Sequence, residues 1–125
     1  MSENQGNWTC EVEANNDNSS VYSDAAEVWD ENALGHEIVC KSLSHFLITF
    51  CLQELVFGSK YVGTINDKFR MEQILKKSEP LWLNGFYVNK ERDHSFYVYD
   101  EKILIMDYAG FWYACNDESS LHLIK

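Results

Sequence analysis

Forty residues pass before this chain carries a single lysine or arginine, and over that stretch it carries nine acids. Glu3, Glu11, Glu13, Asp17, Asp24, Glu27, Asp30, Glu31 and Glu37 all precede Lys41, the first basic residue. From Lys41 onward eleven acids meet ten bases, so nearly all of the net charge of −10 belongs to one segment. A charge asymmetry of that kind points to a partner more than to a fold. It disfavours nucleic acid as that partner, because affinity for a phosphate backbone comes from lysine and arginine. It suits a basic protein, whose capture a carboxylate-rich surface accelerates.

Other absences narrow the class further. One proline, Pro80, and six glycines argue against long disordered or low-complexity stretches. Cys10, Cys40, Cys51 and Cys115 form no Cys-x-x-Cys pair, and no histidines stand at zinc-finger spacing, so no metal and no cofactor are expected. His36, His45, His94 and His122 form no helical His-x-x-x-His or Glu-x-x-His pair. No Gly-x-Ser-x-Gly, phosphate loop or dinucleotide fingerprint occurs. The N-terminus has neither a basic region nor an apolar run of signal-peptide type. The apolar stretch after Lys41 is too short and too polar to span a bilayer. These features lead us to expect a cytoplasmic protein with reduced cysteines and no membrane partner.

What is present suffices for a core. Hydrophobic residues make up 46% of the 125 positions and aromatics 14%, enough for one domain. Residues 1–37 read as an acidic polar arm, partly docked, and 38–125 as a single α+β domain. Within the arm, Asn15 to Ser20 is turn chemistry, flanked by the apolar anchors Trp8, Val12, Val21, Tyr22, Val28, Trp29 and Leu34.

The spacing predicts a buried core helix over 43–57. Ser42 or Ser44 can cap its start, and Gly58 is expected to end it in the left-handed region. At 100° per residue, Lys41, Ser42, His45, Thr49 and Gln53 share one narrow polar arc, and the remainder is apolar except Ser44 and Glu54. Glu54 projects from the apolar arc, which makes it a buried polar candidate, structural or functional. A short strand follows over 60–65. Asn66 or Asp67 then caps a helix of about ten residues with Met71, Ile74 and Leu75 on one face. Ser78-Glu79-Pro80 stops it.

The last third reads as an antiparallel meander of four to five strands packed on the central helix. Asn84-Gly85 suits a type I′ turn between 81–83 and 86–88, and Asp100-Glu101-Lys102 is a second tight connection. Strands at 95–99, 103–108, 111–115 and 121–124 complete it. Alternation puts aromatics on both faces of this sheet. One face meets the helix, and the tyrosine-rich one is either covered by the acidic arm through Trp8 and Trp29 or left for a partner.

Ser42-Leu43-Ser44-His45-Phe46-Leu47, together with Phe86-Tyr87-Val88, Ser95-Phe96-Tyr97-Val98-Tyr99 and Asp107-Tyr108-Ala109-Gly110-Phe111-Trp112, resembles small bacterial immunity-type proteins of the SUKH sort. The resemblance covers about half of the chain, without the leucine–proline entry usual in that family. It implies a cytosolic α+β protein that neutralises a cognate toxin by binding, with no cofactor.

Three functions are therefore carried forward. The first is an acidic immunity or inhibitor protein that captures a basic partner through Glu27, Trp29, Asp30, Glu31 and Glu37, an aromatic anchor ringed by charge. The second is an interaction or assembly domain without inhibitor role. The third is a small hydrolase or transferase using Glu54 with His94 or Asp107. Oligomeric state is left open.

Overall fold

The computed structural model describes residues 10–14, 17–23, 37–83, 87–88, 91–92 and 94–124. Its fold is α+β. Strands β1 (Cys10–Glu11), β2 (Val21–Ser23) and β3 (Glu37–Cys40) form a small antiparallel sheet in that order. Helix α1 (Leu43–Phe57) follows, then β4 (Tyr61–Thr64), helix α2 (Lys68–Lys77) and β5 (Glu79–Trp82). Strands β6 (Tyr87–Val88) and β7 (Glu91–Arg92) pair with each other. Strands β8 (Ser95–Tyr99), β9 (Ile103–Asp107) and β10 (Phe111–Cys115) then join β4 and β5 in a five-stranded antiparallel sheet, ordered β4-β10-β9-β8-β5. A 3-10 helix (Glu118–Leu123) ends the described chain.

Local chemistry explains most element boundaries. Ser42 caps α1, its hydroxyl accepting from His45 N, and Asp67 caps α2 by accepting from Phe69 N and Arg70 N. Lys76 and Lys77 stand in the last turn of α2, where cations complement the helix dipole. The β8–β9 hairpin turns through Asp100 and Glu101, at φ 51° and 60°, the two positive values a type I′ turn requires. The β9–β10 connection ends in Gly110 at φ 125°, a conformation that L side chains rarely adopt. Pro80 lies on β5, an edge strand, where a missing N–H costs no ladder bond.

Four expectations are corrected. Gly58 caps α1 at φ −87°, right-handed rather than left-handed, with its N–H on Glu54 O at 2.8 Å. The 81–83 segment pairs not with 86–88 but with β8, and the Asn84-Gly85 turn lies outside the described residues. A short turn predicts the nearest partner, yet β8 offers five residues of ladder and Trp82 a place beneath α1. Residues 121–124 are not a strand: Asp117 accepts from Ser119 N and starts the 3-10 helix instead, and β4 supplies the fifth strand.

The fourth correction concerns layers. The tyrosine-rich face of the sheet is covered by α2 and the C-terminal 3-10 helix. Met71, Ile74, Leu75, Leu121, Leu123 and Ile124 pack there against Tyr97, Tyr99, Ile103, Ile105, Phe111 and Tyr113. Arg70 locks that layer, donating to Ile124 O at 3.2 Å and Leu123 O at 2.6 Å. The opposite face carries Phe96, Leu104, Met106, Trp112 and Ala114 and is covered by Leu52 and Val56 of α1. Phe46, Leu43 and Phe50, toward the start of α1, pack with Cys10, Val21 and Cys40 of the small sheet. Trp8 and Trp29, the expected cover, lie outside the described residues.

Candidate functional site

The arc of α1 that meets the sheet carries polar side chains among Leu52 and Val56. Thr49 is fully buried, donating to His45 O at 2.9 Å and accepting from Trp82 Nε1 at 2.8 Å. One turn on, Gln53 Oε1 lies 2.9 Å from His94 Nε2. With that oxygen as acceptor, the imidazole carries its proton on Nε2. His94 is 1% exposed and stacks on Tyr108, ring centroids 3.7 Å apart and planes 14° from parallel. His45 meets the Trp82 ring edge to face at 5.4 Å. Thr49, Gln53, Trp82, His94 and Tyr108 thus form a polar node between helix and sheet. Thr49 Oγ1, Trp82 Nε1, Gln53 Oε1 and His94 Nε2 all have partners there, as low-dielectric burial favours.

Burial pushes the His94 imidazole down from 6.5 to about 3, so it is neutral throughout the physiological range. A base held that low and enclosed under a helix is poorly matched to proton transfer near neutrality. Burial also raises the carboxyl of Asp107, at the end of β9. A cleft of about 260 Å³ lined by Lys77, Glu79, Val98, Asp100 and Glu101 lies at the other end of β8 from His94. No group of three or more His, Cys, Asp or Glu suited to a metal ion occurs among the described residues.

Glu54 is exposed, which corrects the expectation of a buried carboxylate. The helical wheel placed Glu54 with the apolar arc, but only one side of that arc, Leu43 and Phe50, packs inward against the small sheet, and Glu54 lies with the side that faces out. Leu47, Ile48 and Leu55 are 45%, 41% and 59% exposed, and Cys51 between them is exposed as well. They form one stripe along three turns of α1, with Glu54 on its flank. No lysine or arginine occurs within α1. Four basic residues, Lys68, Arg70, Lys76 and Lys77, stand on α2 across the sheet.

Of the acidic candidates, Glu27, Trp29, Asp30 and Glu31 lie outside the described residues. Glu37 begins β3, its backbone opposite Ser23, and its side chain is likewise outside them. His94 and Glu54 are not brought together: the histidine lies under α1 against Gln53, and Glu54 faces solvent. All four cysteines are free thiols. Cys10 and Cys40 flank β2 on strands two places apart, about 10 Å at ordinary strand spacing, beyond disulfide reach. Burial, with the nearby Cys10 thiol adding to it, raises the Cys40 thiol to about 12. No helix among the described residues is long and apolar enough to cross a membrane.

Sequence reasoning missed the polar node and the outward stripe. The available signal was the narrowness of the polar arc, with His45, Thr49 and Gln53 each four residues apart. A solvated face is usually wide and charged, whereas this one holds a single hydrogen-bonding row. Comparison of the chain with protein-family models, with curated proteins and with solved structures found no match in any of the three.

Proposed function

We propose that this chain is a small acidic binding protein of immunity or inhibitor type, which neutralises a basic partner protein by direct contact. The observation that carries the reading is the outward apolar stripe of α1. A helix that turns Leu47, Ile48 and Leu55 to solvent while burying Phe46, Thr49 and Val56 places apolar area where a partner can reach it. The charge supports a basic partner, since nine of the twenty acids precede the first lysine. The SUKH-like segments point in the same direction. The enzyme alternative is weakened by the separation of its groups, with His94 enclosed and neutral and Glu54 exposed.

The test is capture of the partner from the native host, followed by association kinetics at two salt concentrations. Changing Glu27, Asp30, Glu31 and Glu37 to Gln or Asn should slow association and flatten its salt dependence while the fold is kept. An unchanged on-rate in that variant, or recovery of acidic partners alone, defeats the reading.

A further inference from the structure

We infer that the stripe Leu47, Ile48, Cys51 and Leu55 is the seat of one kind of ligand: a cationic amphipathic helix of the partner, lying along α1. This rests on the proposed binding function and names its surface and the chemistry that fits it.

The geometry selects a helix. Positions 47, 51 and 55 follow the i, i+4, i+8 ridge of a regular α-helix, an apolar row about 12 Å long at 1.5 Å per residue, with Ile48 beside it at i+1. Such a row interdigitates with the leucine seam of a second helix. An extended strand presents side chains at a period of two and does not follow that ridge. Cys51, the smallest side chain of the row, leaves a dip between Leu47 and Leu55 for a knob from the facing helix.

Charge selects the sign. Glu54 is exposed beside the stripe, and Glu11, Glu13 and Asp17 are exposed around the small sheet that packs on the start of α1. The bases of α2 stand on the far side of the main sheet, away from this face, and the exposed Lys41 and Lys60 stand beyond the two ends of α1 rather than beside the stripe. A ligand helix flanked by lysine or arginine gains on docking, and one flanked by glutamate is repelled. The same argument sets aside two other occupants. A second copy would bring two chains of net charge −10 together, and an anionic bilayer would repel the chain as a whole.

Cys51 provides the readout, because Cys10, Cys40 and Cys115 are buried and it alone is exposed. The probes are two designed helical peptides with the same leucine seam, one flanked by lysine and one by glutamate. At about ten times its Kd the lysine peptide should slow alkylation of Cys51 in the full chain about tenfold, and the glutamate peptide should leave the rate unchanged. Leu55→Ser should weaken lysine-peptide binding by at least about 30-fold, the effect expected at an interface anchor. Phe69→Ser, at a somewhat more exposed apolar position on α2, should leave it intact. Glu54→Lys should shift preference toward the glutamate peptide.

Equal protection by both peptides, or equal sensitivity to Leu55→Ser and Phe69→Ser, overturns the inference. So does protection of Cys51 by protein concentration alone, which would indicate a second copy, or by phosphatidylserine vesicles, which would indicate a membrane. The native partner separates this inference from the reading beneath it. Capture that survives Leu55→Ser but is lost on neutralising the four acids leaves the acidic binding function standing and removes the stripe as its seat.

Discussion

Helix α2 buries the arc that its sequence marks as apolar, whereas α1 buries a mixed arc, with Thr49 among Phe46 and Val56, and leaves part of its apolar arc outside. In α2, Met71, Ile74 and Leu75 face the sheet and the lysines face water, so periodicity alone locates the core. In α1, Phe46, Thr49 and Val56 are the buried positions, and Leu47, Ile48 and Leu55 are exposed. The two helices meet different surfaces. The α2 side of the sheet offers isoleucine and phenylalanine, with its tyrosines partly buried at the margin. The α1 side offers an indole N–H from Trp82 and an imidazole from His94, which need hydrogen-bonding partners when covered. The difference teaches that a helix of mixed character is oriented by the polar atoms opposite it as much as by its own apolar count.

That contrast can be broken most sharply by truncating equivalent aliphatic side chains. Ile74→Ala in α2 should cost about 2–5 kcal/mol in denaturant unfolding, and Leu55→Ala in α1 no more than about 0.5 kcal/mol. A loss above about 2 kcal/mol at Leu55 would mean that α1 buries its apolar arc after all. The next effect belongs to His94. Its imidazole is held near 3 in the fold against 6.5 unfolded, so the fold favours the neutral form. The stability this represents is fully present above 6.5 and is lost as pH falls from 6.5 toward 3, by up to about 1.4 kcal/mol per pH unit. Stability curves of the wild type and of His94→Asn should converge over that window. Parallel curves would place the ring in water.

Thr49→Val sharpens the same comparison at a single bond. It keeps the shape of the side chain but removes the acceptor of Trp82 Nε1, and should cost about 1–3 kcal/mol with a shift in tryptophan emission. The corresponding change on the outer arc, Glu54→Ala, should stay within about 0.5 kcal/mol. A larger loss at Glu54 than at Thr49 would invert the helix.

Legibility followed the same division. Residues governed by local chemistry were readable: Ser42 and Asp67 as caps, 43–57 and 68–77 as helices, 95–99 and 111–115 as strands with alternate faces. Residues governed by distant partners were not. Nothing near Thr49 in sequence announces Trp82, thirty-three positions away, and nothing near Gln53 announces His94. The Asn84-Gly85 signal describes only its neighbours, so it could not foresee that β5 would join β8. Glu54 was misplaced for a related reason, because a wheel orders positions around an axis without saying which way the axis is turned.

The sheet order carries a consequence for synthesis. Strand β4 is made early, yet among the described residues its ladder partner is β10, with Thr64 opposite Trp112. A ribosome that has delivered the chain only as far as Gly110 has released α1, α2 and β4 with neither β10 nor Ile124 to complete their contacts. Pairing across so long an interval is slow, because the loop must close before the contact rewards it. The nascent chain therefore holds α2 unclamped until Leu123 and Ile124 emerge to meet Arg70. Translation must pass its last strand before this domain can acquire its native interior.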